Sequence, residues 1–332
     1  MNIAGIDIGG TKCTVILGTV TGERKPAVVD KIVTPTRNYP DPYQMIRKLQ
    51  EDLEFLLSRH LIFTHALSFI GISCGGPLDS VKGMVLSPPN LPGWDEIPIV
   101  GLFRDRFGIP VALQNDANAC ALAEWLMGAG RGTRNMIFLT FGTGMGAGLI
   151  LNGRLYSGTN DLGGEVGHIR LAPSGPVGYG KAGSFEGFCS GGGIAQLARS
   201  VVLEKLKNNQ PVNFCPTPEM AETMDTRMVA LAALEKDPVA LEIIDISANY
   251  LGRGLSILID ILNPECIVIG SIYSRNEYLF KPVMEKVIRQ EAIPSAAAIC
   301  RICPAELGDS VGDYAALCVA LYSLLCTQLF GV

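Results

Sequence analysis

The chain has 332 residues, 48% of them hydrophobic and 18% charged, which suffices for two domains of ordinary size with large cores. Its formal net charge of −5 gives no support to nucleic-acid binding, which needs a basic face, and small-molecule chemistry fits better. Thirty-eight glycines point to many tight turns or close approaches of backbone to ligand.

In chain order, residues 3–8 and 13–20 are β-rich runs separated by Gly9-Gly10-Thr11-Lys12, a hairpin-like turn, and residues 27–36 supply a third strand. Asp41-Pro42 opens a helix reaching about Ser58, with Met45, Ile46, Leu49, Leu53, Leu56 and Leu57 at helical spacing. Residues 66–73 return as a buried strand. Strand pairs followed by a helix and a further strand indicate a mixed α/β sheet. Residues 111–114 form a short strand and 116–127 a helix. Residues 135–141 and 145–151 are strands around Gly142-Thr143-Gly144, echoing the opening hairpin. This echo reads as an internal duplication of a phosphate-binding unit, or as two unrelated hairpins. Residues 152–193 are glycine-rich and irregular, as functional loops tend to be. Helices are expected over 191–206, 238–262 and 276–290, a strand over 266–269, and a last helix over 311–329.

The two ends and the cysteines bear on location. Residues 1–8 have no basic region before an apolar stretch that Asp7 interrupts, so no targeting signal is expected. Residues 315–332 are uncharged and approach the length of a membrane span, yet they contain Ser323, Thr327 and Gln328 and lack flanking basic residues. A buried helix in a cytoplasmic protein is expected there, not a membrane anchor. Ten cysteines in such a chain should be reduced and mostly buried. Cys300 and Cys303 make a CxxC pair in a segment expected to be extended from about Ala296. No second pair exists for a zinc ribbon, and Pro304 opposes the helix of a redox motif, leaving two cysteines near a strand end.

Several motifs carry candidate chemistry. In Asp7-Ile8-Gly9-Gly10-Thr11-Lys12, glycines let backbone approach a polyphosphate, Thr11 offers a hydroxyl, Asp7 can hold Mg²⁺ through water, and Lys12 supplies positive charge. A plain hairpin with a surface lysine is the bland alternative. The glycines at every second position from Gly142 to Gly148 do not open a helix, so a dinucleotide fingerprint is excluded. They suit a second phosphate turn, or the flat face of a crowded sheet. Asp116, in Gln114-Asn115-Asp116-Ala117-Asn118, sits at a strand-to-helix junction where a carboxylate could take a proton from an attacking hydroxyl, with Asn115 beside it. Helix capping alone would also explain an Asp or Asn at that junction. Asn90, Glu165, His168 and Glu186 have the polar, two-handed hydrogen bonding that sugar hydroxyls require.

Together, DIGGTK, PPNLPGW, NDANA, FGTGMGAG and GGEVGHI, in that order from Asn2 to about Leu317, resemble the ROK family of sugar kinases and repressors. The resemblance implies an α/β fold of the actin-like, ribonuclease H-like kind, with two α/β domains around an interdomain cleft. The expected division is a small domain of residues 1–115 plus 312–332 and a large one of 116–311. It implies an ATP-dependent hexose kinase with Asp116 as base and Asn90, Asn115, Glu165, His168 and Glu186 on a glucose-like sugar. Asp7, Gly9, Gly10, Thr11, Lys12, Gly142, Thr143, Gly144, Gly270 and Gly312 would serve MgATP, the two last near the adenosine. A homodimer is implied, with no nucleic-acid or membrane partner. A repressor would carry a helix-turn-helix before the first strand, which here begins at about residue 3. A catalytically silent sugar sensor is the main alternative.

One departure from the family is plain. Many members carry a zinc motif, CxCGxxGC, ahead of the last glutamate, and its cysteine positions here hold Val177, Tyr179 and Ser184. His168 alone cannot hold a structural zinc, so none is expected.

Overall fold

The structure is a computed structural model that describes all residues except Thr21, Glu23, Arg24, Gly331 and Val332, with backbone alone for 328–330. The end of the expected C-terminal helix segment, Gly331 and Val332, therefore lies outside the described residues. Two compact units emerge. The first comprises Met1–Gly132, Gly148–Gly163 and Glu306–Val332, and the second Thr133–Ala147 and Gly164–Ala305.

The first unit opens with β1 (Asn2–Ile8), β2 (Lys12–Val20) and β3 (Pro26–Pro35), followed by α1 (Pro42–Arg59) and β4 (Leu67–Cys74). The small hairpin β5 (Leu78–Asp79) and β6 (Met84–Val85), α2 (Ile99–Phe107), β7 (Val111–Asn115) and α3 (Asp116–Leu126) complete its first segment. The sheet runs β3-β2-β1-β4-β7, with β1, β2 and β3 antiparallel and β1, β4 and β7 parallel. In α1 the Asp41 carboxylate accepts from the Gln44 N–H at 2.8 Å and Pro42 takes the first turn, where no N–H is needed. Its six apolar residues named above are all buried, each contributing roughly 1.5–3 kcal/mol. The α2 segment was not expected. Phe103 and Phe107 are buried one turn apart, and Gly108 closes the helix in the left-handed region, φ 68°.

The chain then enters the second unit with β8 (Met136–Leu139), and β9 (Ala147–Leu151) leads back to the first with β10 (Arg154–Tyr156). The second unit resumes at Gly164 with a hairpin, β11 (Val177–Gly178) and β12 (Lys181–Ala182), then α4 (Phe185–Phe188) and α5 (Gly191–Lys207). Next come α6 (Pro218–Glu222), α7 (Thr226–Leu234), α8 (Pro238–Leu262), β13 (Cys266–Ile269), α9 (Ile272–Glu291), α10 (Pro294–Ile299) and β14 (Arg301–Pro304). Within this unit β13 pairs in parallel with β8 and β14. The long α8 is capped by Asp237, which accepts from the Val239 and Ala240 N–H groups, and ends at Asn263 in the left-handed region.

Two local expectations need correction. Helix α9 begins four residues before 276, because Asn276 leaves helical geometry (φ −134°) and its amide donates to the Ile272 carbonyl, so its first turn is kinked from the rest. The stretch from 296 is not extended at first: Pro294 starts the alanine-rich α10, and extension begins at Arg301. Cys300 is the residue that ends α10, while Cys303, in β14, has its Sγ 3.7 Å from Cys266 Sγ on β13. All ten cysteines are free thiols.

The first unit closes with α11 (Val311–Phe330), which lies on the sheet face opposite α1. This helix is long and apolar enough to cross a membrane by length and composition, and Ala315–Leu321 is buried in the unit. Glycines make that fit. A Cβ on Gly71 would lie 2.2 Å from the Ala316 carbonyl oxygen and 2.4 Å from Ala320 N, and one on Gly5 would lie 2.9 Å from Ala316 Cβ. The helix backbone therefore rests directly on the strands. Glu124 of α3, fully buried, ties that helix to the entry of α11. Its carboxylate accepts from the N–H groups of Ala129 (2.8 Å), Glu306 (3.2 Å) and Leu307 (2.9 Å). By these contacts α3 belongs to the first unit, whereas the expected large domain starts at Asp116.

Candidate active site

The turn from β1 to β2 forms because Asp7 and Thr14 face one another in register and Gly9 N–H closes on the Lys12 carbonyl at 3.1 Å. Thr36 braces it from outside, its hydroxyl donating to the Gly9 carbonyl at 2.6 Å and its N–H to the Thr11 carbonyl at 3.0 Å. Gly10, Thr11 and Lys12 are exposed at the tip. Gly10 is required by a neighbour: a Cβ there would sit 2.5 Å from the Asn90 carbonyl oxygen. The phosphate-turn candidates and the sugar candidate Asn90 are thus in direct contact. Asn90 itself is exposed, in a turn where the Leu91 N–H meets the Pro88 carbonyl.

Asp7 is the most perturbed group of this cluster. Burial lifts its carboxyl from 3.8 to about 6; a hydrogen bond from Ser73 and the Lys12 charge pull it down, while the carboxylates of Asp116 and Asp313 push it up. Ser73 is its register partner on β4, which explains the hydrogen bond. Gly312 lies at the same place, the position of its Cβ being 3.8 Å from Asp7 Oδ2. Ser73 and Asp313 were not candidates from sequence. They lie far along the chain from Asp7, and only strand pairing and the return of α11 bring them together.

Asn115 and Asp116 stand where β7 becomes α3. The capping alternative holds for Asn115, whose Oδ1 accepts from the Ala117 N–H at 2.9 Å. Asp116 is the first helical residue, exposed, with its Oδ1 also accepting from Ala117 N at 2.8 Å. Helix geometry therefore fixes this carboxylate, whose charge is one of the influences that raise the Asp7 carboxyl.

In the second unit Gly142-Thr143-Gly144 forms a turn tighter than the first, with the Gly142 N–H on the Gly144 carbonyl at 3.1 Å. A Cβ at Gly142 would meet Ser271 Oγ at an ordinary contact of 3.7 Å. Gly270 and Ser271 lie between β13 and α9, and Ser271 takes the strained φ of 54° that non-glycine residues avoid. Glu186 Oε2 accepts from the Met145 N–H at 2.9 Å, so this sugar candidate also holds the glycine turn. His168, half-buried, ends a short 3-10 turn that starts after the exposed Glu165. The ring of Tyr179 meets the His168 ring edge-on at 4.9 Å.

These residues fit a magnesium nucleotide. The exposed Gly10-Thr11 tip of the first turn brings backbone within reach of phosphate oxygens, and a carboxyl with a pKa of about 6 is ionised at neutral pH. They do not fit a structural zinc. At the family's zinc-cysteine positions Val177, Tyr179 and Ser184 offer no thiolate.

The profile of the ROK family matches residues 3–321. The chain is 32% identical over 311 residues to a glucokinase of Halalkalibacterium halodurans, covering 93% of this chain and 91% of the relative. It is 30% identical over 260 residues to the DNA-binding transcriptional repressor Mlc of Escherichia coli, covering 77% of this chain and 61% of that one. Among solved structures, a ROK hexokinase from Thermus thermophilus superposes with a TM-score of 0.79 at 28% identity, over 98% of this chain and 99% of the other. The fold is the actin-like ATPase fold, and the chain belongs to the ROK family.

Proposed function

We propose that this protein is an ATP-dependent sugar kinase that transfers the γ-phosphoryl of MgATP to a hydroxyl of a glucose-like hexose. The observation that carries this reading is the acidic cluster of the first unit. A helix-anchored, exposed Asp116 stands in electrostatic contact with a recessed Asp7 that follows directly into a glycine turn. Similarity to a glucokinase along nearly the whole chain supports the same choice.

In this reading MgATP supplies the phosphoryl group and the charge that binds its oxygens. Gly9, Gly10, Thr11 and Lys12 bind phosphates, as do Gly142, Thr143 and Gly144. Asp7 holds the metal through water, and Gly270 and Gly312 serve the nucleoside. Asn90, Asn115, Glu165, His168 and Glu186 bind the sugar hydroxyls, and Asp116 accepts the proton of the attacking one. Asn115 has one face committed to the helix and its amide nitrogen left for a sugar oxygen, so capping and binding coexist in one side chain.

The test is ADP release with MgATP against hexoses, hexosamines and N-acetylhexosamines, with a no-sugar control. One sugar should raise turnover well above the control, and Asp116→Asn should lower that turnover by at least about 10²-fold with little change in sugar affinity. Near-normal turnover in Asp116→Asn removes the residue from the mechanism. The repressor similarity favours one second reading, a silent sugar sensor. Sugar-induced thermal stabilisation without turnover would select it.

A further inference from the structure

We propose that Lys181 and Gln196 are positioning residues that hold the His168–Glu186 loop in place without a metal, a role that rests on the kinase reading above. The three positions where a family zinc motif has cysteines are each taken up by another contact. At the first, Gln196 of α5 brackets the backbone of Val177: its Nε2 donates to the Val177 carbonyl at 2.9 Å, and its Oε1 accepts from the Val177 N–H at 3.0 Å. At the second, the Tyr179 ring, at a turn where φ is 43°, lies edge-on to the His168 ring at 4.9 Å. At the third, the buried Ser184 caps α4, accepting from the Gly187 N–H at 3.1 Å and donating to the Gly178 carbonyl at 3.5 Å.

Lys181 completes the closure. From β12 its ammonium reaches back to the His168 carbonyl at 2.8 Å, joining the far arm of the hairpin to the turn that presents the imidazole. The fit allows no slack on the other side: a Cβ on Gly178 would lie 2.7 Å from Glu186 Cβ, and one on Gly167 would lie 2.3 Å from the Met145 carbonyl oxygen. Lys181 thus holds the turn that presents His168, and Gln196 holds the hairpin arm that runs toward Glu186, both by reaching only backbone. A thiolate-bound metal would join the same three points through one ion; here separate hydrogen bonds and a ring contact do so.

The experiment compares wild type, Lys181→Met, Lys181→Arg and Gln196→Leu after dialysis against EDTA and return of Mg²⁺ alone. Steady-state kinetics use the sugar that scores in the panel, and amide hydrogen exchange follows residues 166–188. Wild type should keep its kinetics through dialysis. Lys181→Met and Gln196→Leu should raise the sugar KM about tenfold, leave the ATP KM and kcat within about twofold, and speed exchange in 166–188, with Lys181→Arg close to wild type. Unchanged sugar KM with unchanged exchange overturns the proposal, as does loss of wild-type activity on dialysis with recovery on adding zinc. If wild type turns over no sugar, the kinase reading fails by itself. Exchange still decides the clamp: faster exchange in Lys181→Met upholds it, and unaltered exchange overturns it.

Discussion

Replacing Asp7 by Asn should stabilise the fold at neutral pH while removing turnover. A carboxyl moved from 3.8 to about 6 carries an ionisation penalty of about 3 kcal/mol in the folded state, at about 1.4 kcal/mol per pH unit. The sign follows from proton binding. Between these two values the folded protein holds the proton more tightly than the unfolded chain, so stability falls as pH rises through about 6. Below 3.8 both states are protonated and the penalty is absent. Asn keeps an oxygen for the Ser73 hydroxyl, adds no charge beside Asp116 and Asp313, and forgoes the attraction of Lys12. Urea unfolding at about pH 8 should therefore show a gain of about 2–3 kcal/mol for Asp7→Asn, shrinking below about 1 kcal/mol at about pH 4. A gain equal at both pH values, or a loss at about pH 8, would show that burial and the neighbouring carboxylates do not set the energy of this group. In the same protein, sugar-dependent ADP release should fall steeply as pH drops below about 6 for wild type, since Asp7 then takes up a proton.

Two further substitutions test close packing. Gly71→Ala puts a methyl group against the backbone of α11, and a loss of about 3 kcal/mol or more in urea unfolding is expected; a loss below about 1 kcal/mol would mean the helix can move away freely. Gly10→Ala pushes on the Asn90 carbonyl, so the sugar KM and the ATP KM should both rise at least about fivefold in steady-state kinetics, and a change in only one would separate the turn from Asn90.

Much of the scaffold was legible in the sequence because its signals are local. The Asp41-Pro42 start of α1 and its six apolar positions set that helix to within a residue or two, and α8 and β13 were placed at their observed bounds. Helix α2 was missed because nine residues with two buried phenylalanines make a short pattern, and α10 because an alanine-rich stretch before a strand has no polar face to mark it. The candidate site was legible as far as its motifs are contiguous. The turn at Gly9 and the Asn115-Asp116 pair are sequence neighbours, whereas Ser73 and Asp313 reach Asp7 through tertiary structure alone. Likewise the replacement of cysteines by Val177, Tyr179 and Ser184 was visible, but the reach of Gln196 to Val177 and of Lys181 to His168 required the folded loop.

The resting of α11 on bare glycine backbone has a consequence for how the protein is made. The strands that carry Gly5 and Gly71 leave the ribosome well before the helix that covers them. Until then one face of the growing sheet exposes Ile3, Ile16 and Phe69 without the chain's own cover. The second unit, continuous from Gly164 to Ala305 apart from one short segment made before it, can gather its contacts meanwhile. Nascent chains halted before α11 should therefore be the ones that hold a chaperone longest, and release should coincide with emergence of Ala315–Leu321 rather than with completion of any strand.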